Sequence, residues 1–169
     1  YVHKDVHEAF VHKFAAKVRA LDPGTSISSS YGPMTMPAQI EIIRRHVKDA
    51  LARGGKAVVG GEDSIGDAVV EPVVLVDVPE DSTAVTEETF GPTVVINPVT
   101  DLEEAVEKAN ASSYGLGSSI FTKDRKRGLA LAESLDAGMV SINSFLAFAG
   151  IPALPFGGSG DSGFGRIHG

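Results

Sequence analysis

Two adjacent glutamates, Glu87 and Glu88, stand just before Phe90 and a Gly91-Pro92 corner in the stretch TEETFGPTVVINPV. In extended backbone, successive side chains point to opposite faces. One carboxylate therefore faces in and the other out, and Phe90 projects to the same side as Glu88. An inward carboxylate needs hydrogen-bond donors, because a buried charge without partners is expensive. The two hydroxyls of a ribose diol are suitable donors, and an aromatic face beside them suits a sugar with a flat ring attached. The ordinary alternative is a solvated glutamate pair and a core phenylalanine ahead of a buried strand. Both readings stay open on these residues alone.

Other residue types narrow the chemistry further. The chain has no cysteine, which excludes disulfides and thiolate metal sites within it and places any thiol chemistry outside these residues. His3, His7 and His12 fall on one predicted helix, His46 on the next and His168 in the tail. His3 and His7 are four apart and share a helix face that could hold a metal. No H-E-x-x-H pattern accompanies them, so solvated histidines are the preferred reading. No G-x-S-x-G elbow exists. The run GGSGDSGFG lacks a preceding strand, so it reads as a tight chain path made possible by glycine and not as a dinucleotide fingerprint.

Charge and hydropathy exclude whole classes. A net charge of −7 argues against a nucleic-acid partner, whose phosphates want surplus Lys and Arg. The longest apolar run, AVVEPVVLVDV, is interrupted by Glu71 and Asp77, so no membrane span is expected. The start carries no signal-peptide pattern, which favours a cytoplasmic location, and no Met, which suggests a fragment. Hydrophobic residues make up 43% of the 169, enough for a real core.

These residues must be positioned by regular elements. Val6, Phe10, Phe14, Ala15, Val18 and Leu21 recur at helical spacing and predict an amphipathic helix ended by Asp22-Pro23-Gly24. A second helix follows the loop TSISSSYGPMT, with Thr35 as its expected N-cap, Pro37 in its first turn and a stripe of Ile40, Ile43, Val47 and Leu51. Strands are predicted at 56–60, 69–78 (broken or at an edge because of Pro72), 93–96, 118–122 and 139–143. Between them lie a helix with an Asp101/Glu104 capping box and one capped by Asp124, running to about Asp136 and stopped by Gly138. The alternation predicts an α/β fold: an open, mostly parallel sheet flanked by helices.

Taken in order, the motifs resemble the NAD(P)-dependent aldehyde dehydrogenase superfamily. EETFGP matches the family's E-E-x-F-G-P, and ANASSYGLGSSIFTKD its A-N-x-x-x-Y-G-L segment and the following strand. AGMVSIN matches A-G-x-V-x-[IV]-N, and PFGGSGDSGFGR matches P-F-G-G-x-x-x-S-G-x-G-R. YVHKDVHEAFVHKF is similar to the segment just after the family's catalytic cysteine. The resemblance covers residues 1–169 as the C-terminal portion of a catalytic domain, including the Gly-rich tail 155–169.

The resemblance implies oxidation of an aldehyde to a carboxylic acid, with NAD or NADP, through a cysteine thiohemiacetal and thioester. It implies that Glu88 bonds the nicotinamide ribose and Phe90 packs against the nicotinamide end. Phe156 matches an aromatic of the aldehyde pocket, with Phe145 and Phe148 as softer candidates in the preceding loop. Asn143 matches an asparagine at a strand end, whose expected role is to pin a neighbouring loop. The catalytic cysteine, the general-base glutamate and the dinucleotide-binding domain are expected upstream of Tyr1, so the chain alone is expected to be inactive. Two positions depart from the pattern: Gly160 stands where the family often has Lys, and Ile167 where it often has Glu. The apolar loop FLAFAGIPAL suggests a small aldehyde of hydrophobic character. The intact enzyme is expected to be a homo-oligomer, a dimer or tetramer. Competing readings are a stand-alone assembly module and a fold-sharing reductase such as a γ-glutamyl phosphate reductase.

Overall fold

The computed structural model describes residues 1–145 and 150–168. The chain divides into two compact units, Tyr1–Val99 and Thr100–Gly169.

The first unit is built on a buried strand. Its elements are β1 (Val2–His3), α1 (Lys4–Val18), α2 (Pro37–Ala52), β2 (Lys56–Val59), β3 (Val73–Val76), α3 (Thr83–Thr86), β4 (Thr93–Ile96) and β5 (Pro98–Val99). β3 lies between β2, antiparallel to it, and β4, parallel to it. All four residues of β3 are buried, because each face of the strand has its own cluster. Val73 and Leu75 pack with Ile40, Ile43, Val47 and Ala50 of α2. Val74 and Val76 pack with Ile96 and with Val11, Phe14 and Val18 of α1. A strand covered on both sides is apolar without alternation, which is what VVLV displays. Each fully buried aliphatic side chain here contributes about 1.5–3 kcal/mol.

Several predicted boundaries move. The strand expected over 69–78 contracts to β3, because Pro72 has no N–H for the ladder; pairing resumes where the Val73 N–H donates to the Pro92 carbonyl (2.9 Å). Met36, not Thr35, is the N-cap of α2, and no side chain caps it; Pro37 at the start supplies the helical φ instead. Of the predicted stripe, Val6 and Phe10 on α1 and Leu21 beyond its end are exposed, while Val11, Phe14 and Val18 of α1 face the sheet. Residues four apart advance about 40° around a helix of 3.6 residues per turn, so the Val6–Phe10–Phe14 row drifts off the sheet at its N-terminal end. Phe10 stays in reach of Phe14, their rings stacked with centroids 5.9 Å apart.

The second unit contains α4 (Leu102–Asn110), β6 (Tyr114–Gly115), β7 (Gly117–Ile120), α5 (Arg125–Ala132), β8 (Met139–Ile142) and β9 (Ser159–Gly160). β7 and β8 pair in parallel across the α5 connection, and β6 pairs antiparallel with β9 of the tail. Asp101 caps α4 by accepting from the Glu104 N–H (2.9 Å), and Asp124 caps α5 by accepting from the Arg127 N–H (3.0 Å). The Glu104 carboxylate reaches back to the N–H of Thr100, one residue further out than the expected capping box. α5 ends at Ala132, earlier than expected, and Gly138 is not its stop. A side chain at Gly138 would overlap the Gly157 carbonyl, so this glycine lets the tail lie against the start of β8.

The class is therefore α/β, with short ladders that are parallel at β1–β5, β3–β4 and β7–β8. One device recurs in both units. After β4, Asn97 accepts from the Val78 N–H (3.0 Å) and donates to the Val78 carbonyl (2.7 Å). After β8, Asn143 accepts from the Thr122 N–H (2.8 Å) and donates to the Thr122 carbonyl (2.8 Å). Each amide prolongs a parallel ladder by one rung, bonding the residue two beyond the end of the neighbouring strand. No helix among the described residues is long and apolar enough to cross a membrane.

Candidate functional site

The Glu87–Pro92 corner is seated on one face of α2. Three successive turns of that helix each hold part of the segment 82–91. At the first, Gly91 lies so close to the fully buried Ile43 that a Cβ would overlap the isoleucine side chain. At the second, the buried His46 places Nδ1 2.5 Å from Thr89 Oγ1 and Nε2 3.2 Å from Glu87 Oε2. Arg45 donates to the same Glu87 oxygen at 2.7 Å. At the third, Asp49 accepts from the Ser82 hydroxyl (2.8 Å) and the Thr83 N–H (2.9 Å), while its other oxygen takes the Arg53 Nε–H (2.8 Å). Residues 43, 46 and 49 are three apart, so they share a helix face.

The electrostatics follow these bonds. The Arg53 guanidinium, then the Ser82 hydroxyl and Thr83 N–H, hold the Asp49 carboxyl well below the usual carboxylate range. The His46 hydrogen bond, followed by Arg45, lowers that of Glu87. Of the two adjacent glutamates, Glu87 thus receives protein donors. Glu88 is exposed and makes no hydrogen bond or ion pair among the described residues. Phe90 is 69% exposed, which removes its core reading. The outcome is a free carboxylate and a free aromatic ring on a segment whose neighbouring residues are locked.

His46 is the residue the sequence reading passed over, placing it on the second helix without a role. It is 1% exposed. Its place between Ile43 and Val47 on the apolar stripe of α2 was the available signal. The His3–His7 pair is engaged locally: His7 Nε2 lies 3.0 Å from the Ile96 carbonyl, and His3 Nδ1 accepts from the Asp5 N–H. Among the described residues there is no group of three or more His, Cys, Asp or Glu arranged to hold a metal ion.

In the second unit, Asn143 takes a left-handed backbone (φ 55°), and its amide is occupied by Thr122. Phe145 is 70% exposed. Phe156 is half-buried, and its backbone exchanges two hydrogen bonds with Ile167 (2.7 and 2.9 Å). Phe148 lies outside the described residues. Arg166 closes the tail by donating to the Gly158 and Gly165 carbonyls (2.8 and 2.9 Å). Gly160, one of the two departures from the family pattern, has φ 57°, and a Cβ there would overlap the Ser113 carbonyl. The tail thus follows a path that a lysine at this position would strain.

The sequence model of the aldehyde dehydrogenase family matches residues 1–169. Among similar curated proteins, the succinate-semialdehyde dehydrogenase of Deinococcus radiodurans, whose name specifies NADP(+), is 41% identical over 96% of this chain and 34% of its own length. Among solved structures, aldehyde dehydrogenase 21 from Physcomitrella patens, in complex with the reaction product succinate, superposes with a TM-score of 0.90. It is 36% identical, over 98% of this chain and 34% of its own. The glyceraldehyde-3-phosphate dehydrogenase GapN of Methanocaldococcus jannaschii, complexed with NADP, gives 0.89 at 33% identity, over 98% of this chain and 36% of its own. The chain spans about a third of the length of the relatives it matches. A family match along every residue, joined to a fold shared at these identities, means that the chain belongs to the aldehyde dehydrogenase family.

Proposed function

We propose that this chain is the C-terminal part of the catalytic domain of an NAD(P)-dependent aldehyde dehydrogenase, carrying the coenzyme-orienting corner and part of the aldehyde pocket. One observation carries the reading: Glu88 and Phe90 are open to solvent, while Glu87 and Thr89 are tied to α2. A carboxylate without protein donors fits the paired hydroxyls of a ribose, and an exposed ring fits a flat heterocycle. The bound coenzyme would supply a hydride acceptor. Glu88 would hold the ribose and Phe90 would limit the tilt of the nicotinamide end, so both act by orientation. NADP is the form to test first, because the Deinococcus relative is named for it.

Phe156, Phe145 and Phe148 are the pocket candidates, and Asn143 supports them by anchoring the turn at Thr122. The cysteine that carries the thiohemiacetal and thioester, and the glutamate that activates water, belong to the part of the enzyme preceding this chain. The intact protein is a cytoplasmic homo-oligomer, a dimer or tetramer. Residues 144–155 include no Lys, Arg or His. Selectivity for an aldehyde that also bears a carboxylate would therefore need cations from elsewhere in the protein. In the intact enzyme, Glu88→Gln is expected to slow single-turnover hydride transfer by about 10- to 100-fold, the range expected from misplacement by up to about 1 Å, without changing the unfolding midpoint. Unchanged single-turnover kinetics would refute the assignment.

A further inference from the structure

We propose that His46 is a positioning residue for coenzyme binding: its buried ring grips the two residues that flank Glu88. The inference rests on the reading of Glu88 as a ribose ligand. The imidazole is 1% exposed, and both of its nitrogens are directed at the corner: Nδ1 at Thr89 Oγ1 (2.5 Å) and Nε2 at Glu87 Oε2 (3.2 Å). A carboxylate only accepts, so the Nε2–H donates to Glu87, and in the neutral ring Nδ1 accepts from the Thr89 hydroxyl. If the ring is doubly protonated, Nδ1–H donates to that hydroxyl instead, so the grip exists in either charge state. With Nε2 protonated, Arg45 Nη2, 3.2 Å from that nitrogen, makes no bond to it and donates to Glu87 Oε2 (2.7 Å), countering the carboxylate charge from the solvent side.

This arrangement has a consequence for Glu88. α3 has ended at Thr86, and β4 begins only at Thr93. The Glu87 N–H still bonds the Thr83 carbonyl (3.1 Å), and the Pro92 carbonyl accepts from the Val73 N–H (2.9 Å), so backbone bonds hold the two ends while residues 88–90 between them have none among the described residues. Side-chain attachments must hold that middle. His46 fixes residue 87 and residue 89 from one rigid ring, and Gly91 rests on Ile43 one turn earlier. Glu88 is thus suspended between two pinned neighbours and presented to solvent, its conformational freedom reduced before any ligand arrives. Fixing an orienting group in advance matters most for a step that depends on sub-ångström placement.

The test uses the intact enzyme. His46→Leu removes both contacts, Thr89→Val removes only the hydroxyl, and His46→Gln retains an amide donor for Glu87. His46→Leu is expected to raise the coenzyme KM and to lower single-turnover hydride transfer, each by about 10-fold, with the aldehyde KM unchanged. Thr89→Val should move the same two quantities by a smaller factor, and His46→Gln should recover most of the loss. Folded Leu and Val variants with wild-type coenzyme KM and hydride rate would overturn the proposal, as would an aldehyde KM that rises equally. If His46→Leu does not fold, Thr89→Val alone decides by the same criterion. Glu88→Gln separates the two readings. If it is impaired while the His46 and Thr89 variants are normal, only the role of His46 falls. If it is itself normal, the coenzyme corner falls.

Discussion

Gly91→Ala probes the seating of the corner directly. Gly91 has no left-handed backbone requirement; its constraint is steric. An alanine Cβ would lie 2.8 Å from Ile43 Cγ1 and would overlap Cδ1. Carbon atoms in contact prefer about 3.5 Å or more, so to clear Cδ1, the nearer atom, the corner must retreat by about 1 Å or Ile43 must leave its rotamer. Ile43 is wholly buried in the cluster between α2 and β3, and a close-packed interior gives little. Overpacking of this kind costs about 1–3 kcal/mol. A retreat approaching 1 Å also moves Glu88, at about 100-fold in rate for an orientation-dependent step. Ile43→Val removes Cδ1 and costs about 0.5–1.5 kcal/mol by itself. The double variant should recover part of both losses, with a coupling of about 1 kcal/mol. Denaturant midpoints and single-turnover hydride transfer in the intact enzyme measure the two effects. Strict additivity of the two substitutions, with normal hydride transfer in Gly91→Ala, would refute the steric argument.

Two further outcomes are expected. Asn97→Ala strands the Val78 N–H and carbonyl in a buried site and should cost about 2–4 kcal/mol, whereas Asn143→Ala, at a more exposed ladder end, should cost about 1 kcal/mol. Denaturation midpoints check the order, and equal effects would contradict it. Asp49 and Glu104 govern the acid limb. Thr100 and Lys108 hold the Glu104 carboxyl down to about 2, and Asp49 is lowered more strongly. A depressed folded pKa adds stability above the unfolded value of about 4, which is lost as pH falls through the folded value. Asp49→Asn and Glu104→Gln should therefore flatten the decline in stability below pH 4; an unaltered acid limb would count against the assignment.

The sequence by itself was sufficient wherever the cause is local. Asp101 and Asp124 announce helix starts because a cap bonds an N–H only three residues away. TVVI reads as a strand from its β-branched residues, and the alternation of elements gives the α/β class. The motifs around Glu88 and Phe90 were also legible, since a motif is a matter of residue order.

Tertiary structure decided which polar group meets which. Nothing in the pair Glu87-Glu88 says which one is left open; that depends on Arg45 and His46, 42 and 41 residues earlier in the chain. The ladder-extending Asn97 and Asn143 bond backbone groups 19 and 21 residues distant, and Gly91 is needed only because Ile43 lies beneath it. Periodicity and capping act over a helical turn, whereas burial and long-range hydrogen bonds exist only once the chain has brought remote segments within a few ångströms. The exposed carboxylate at residue 88 is therefore a product of packing that the local sequence does not contain.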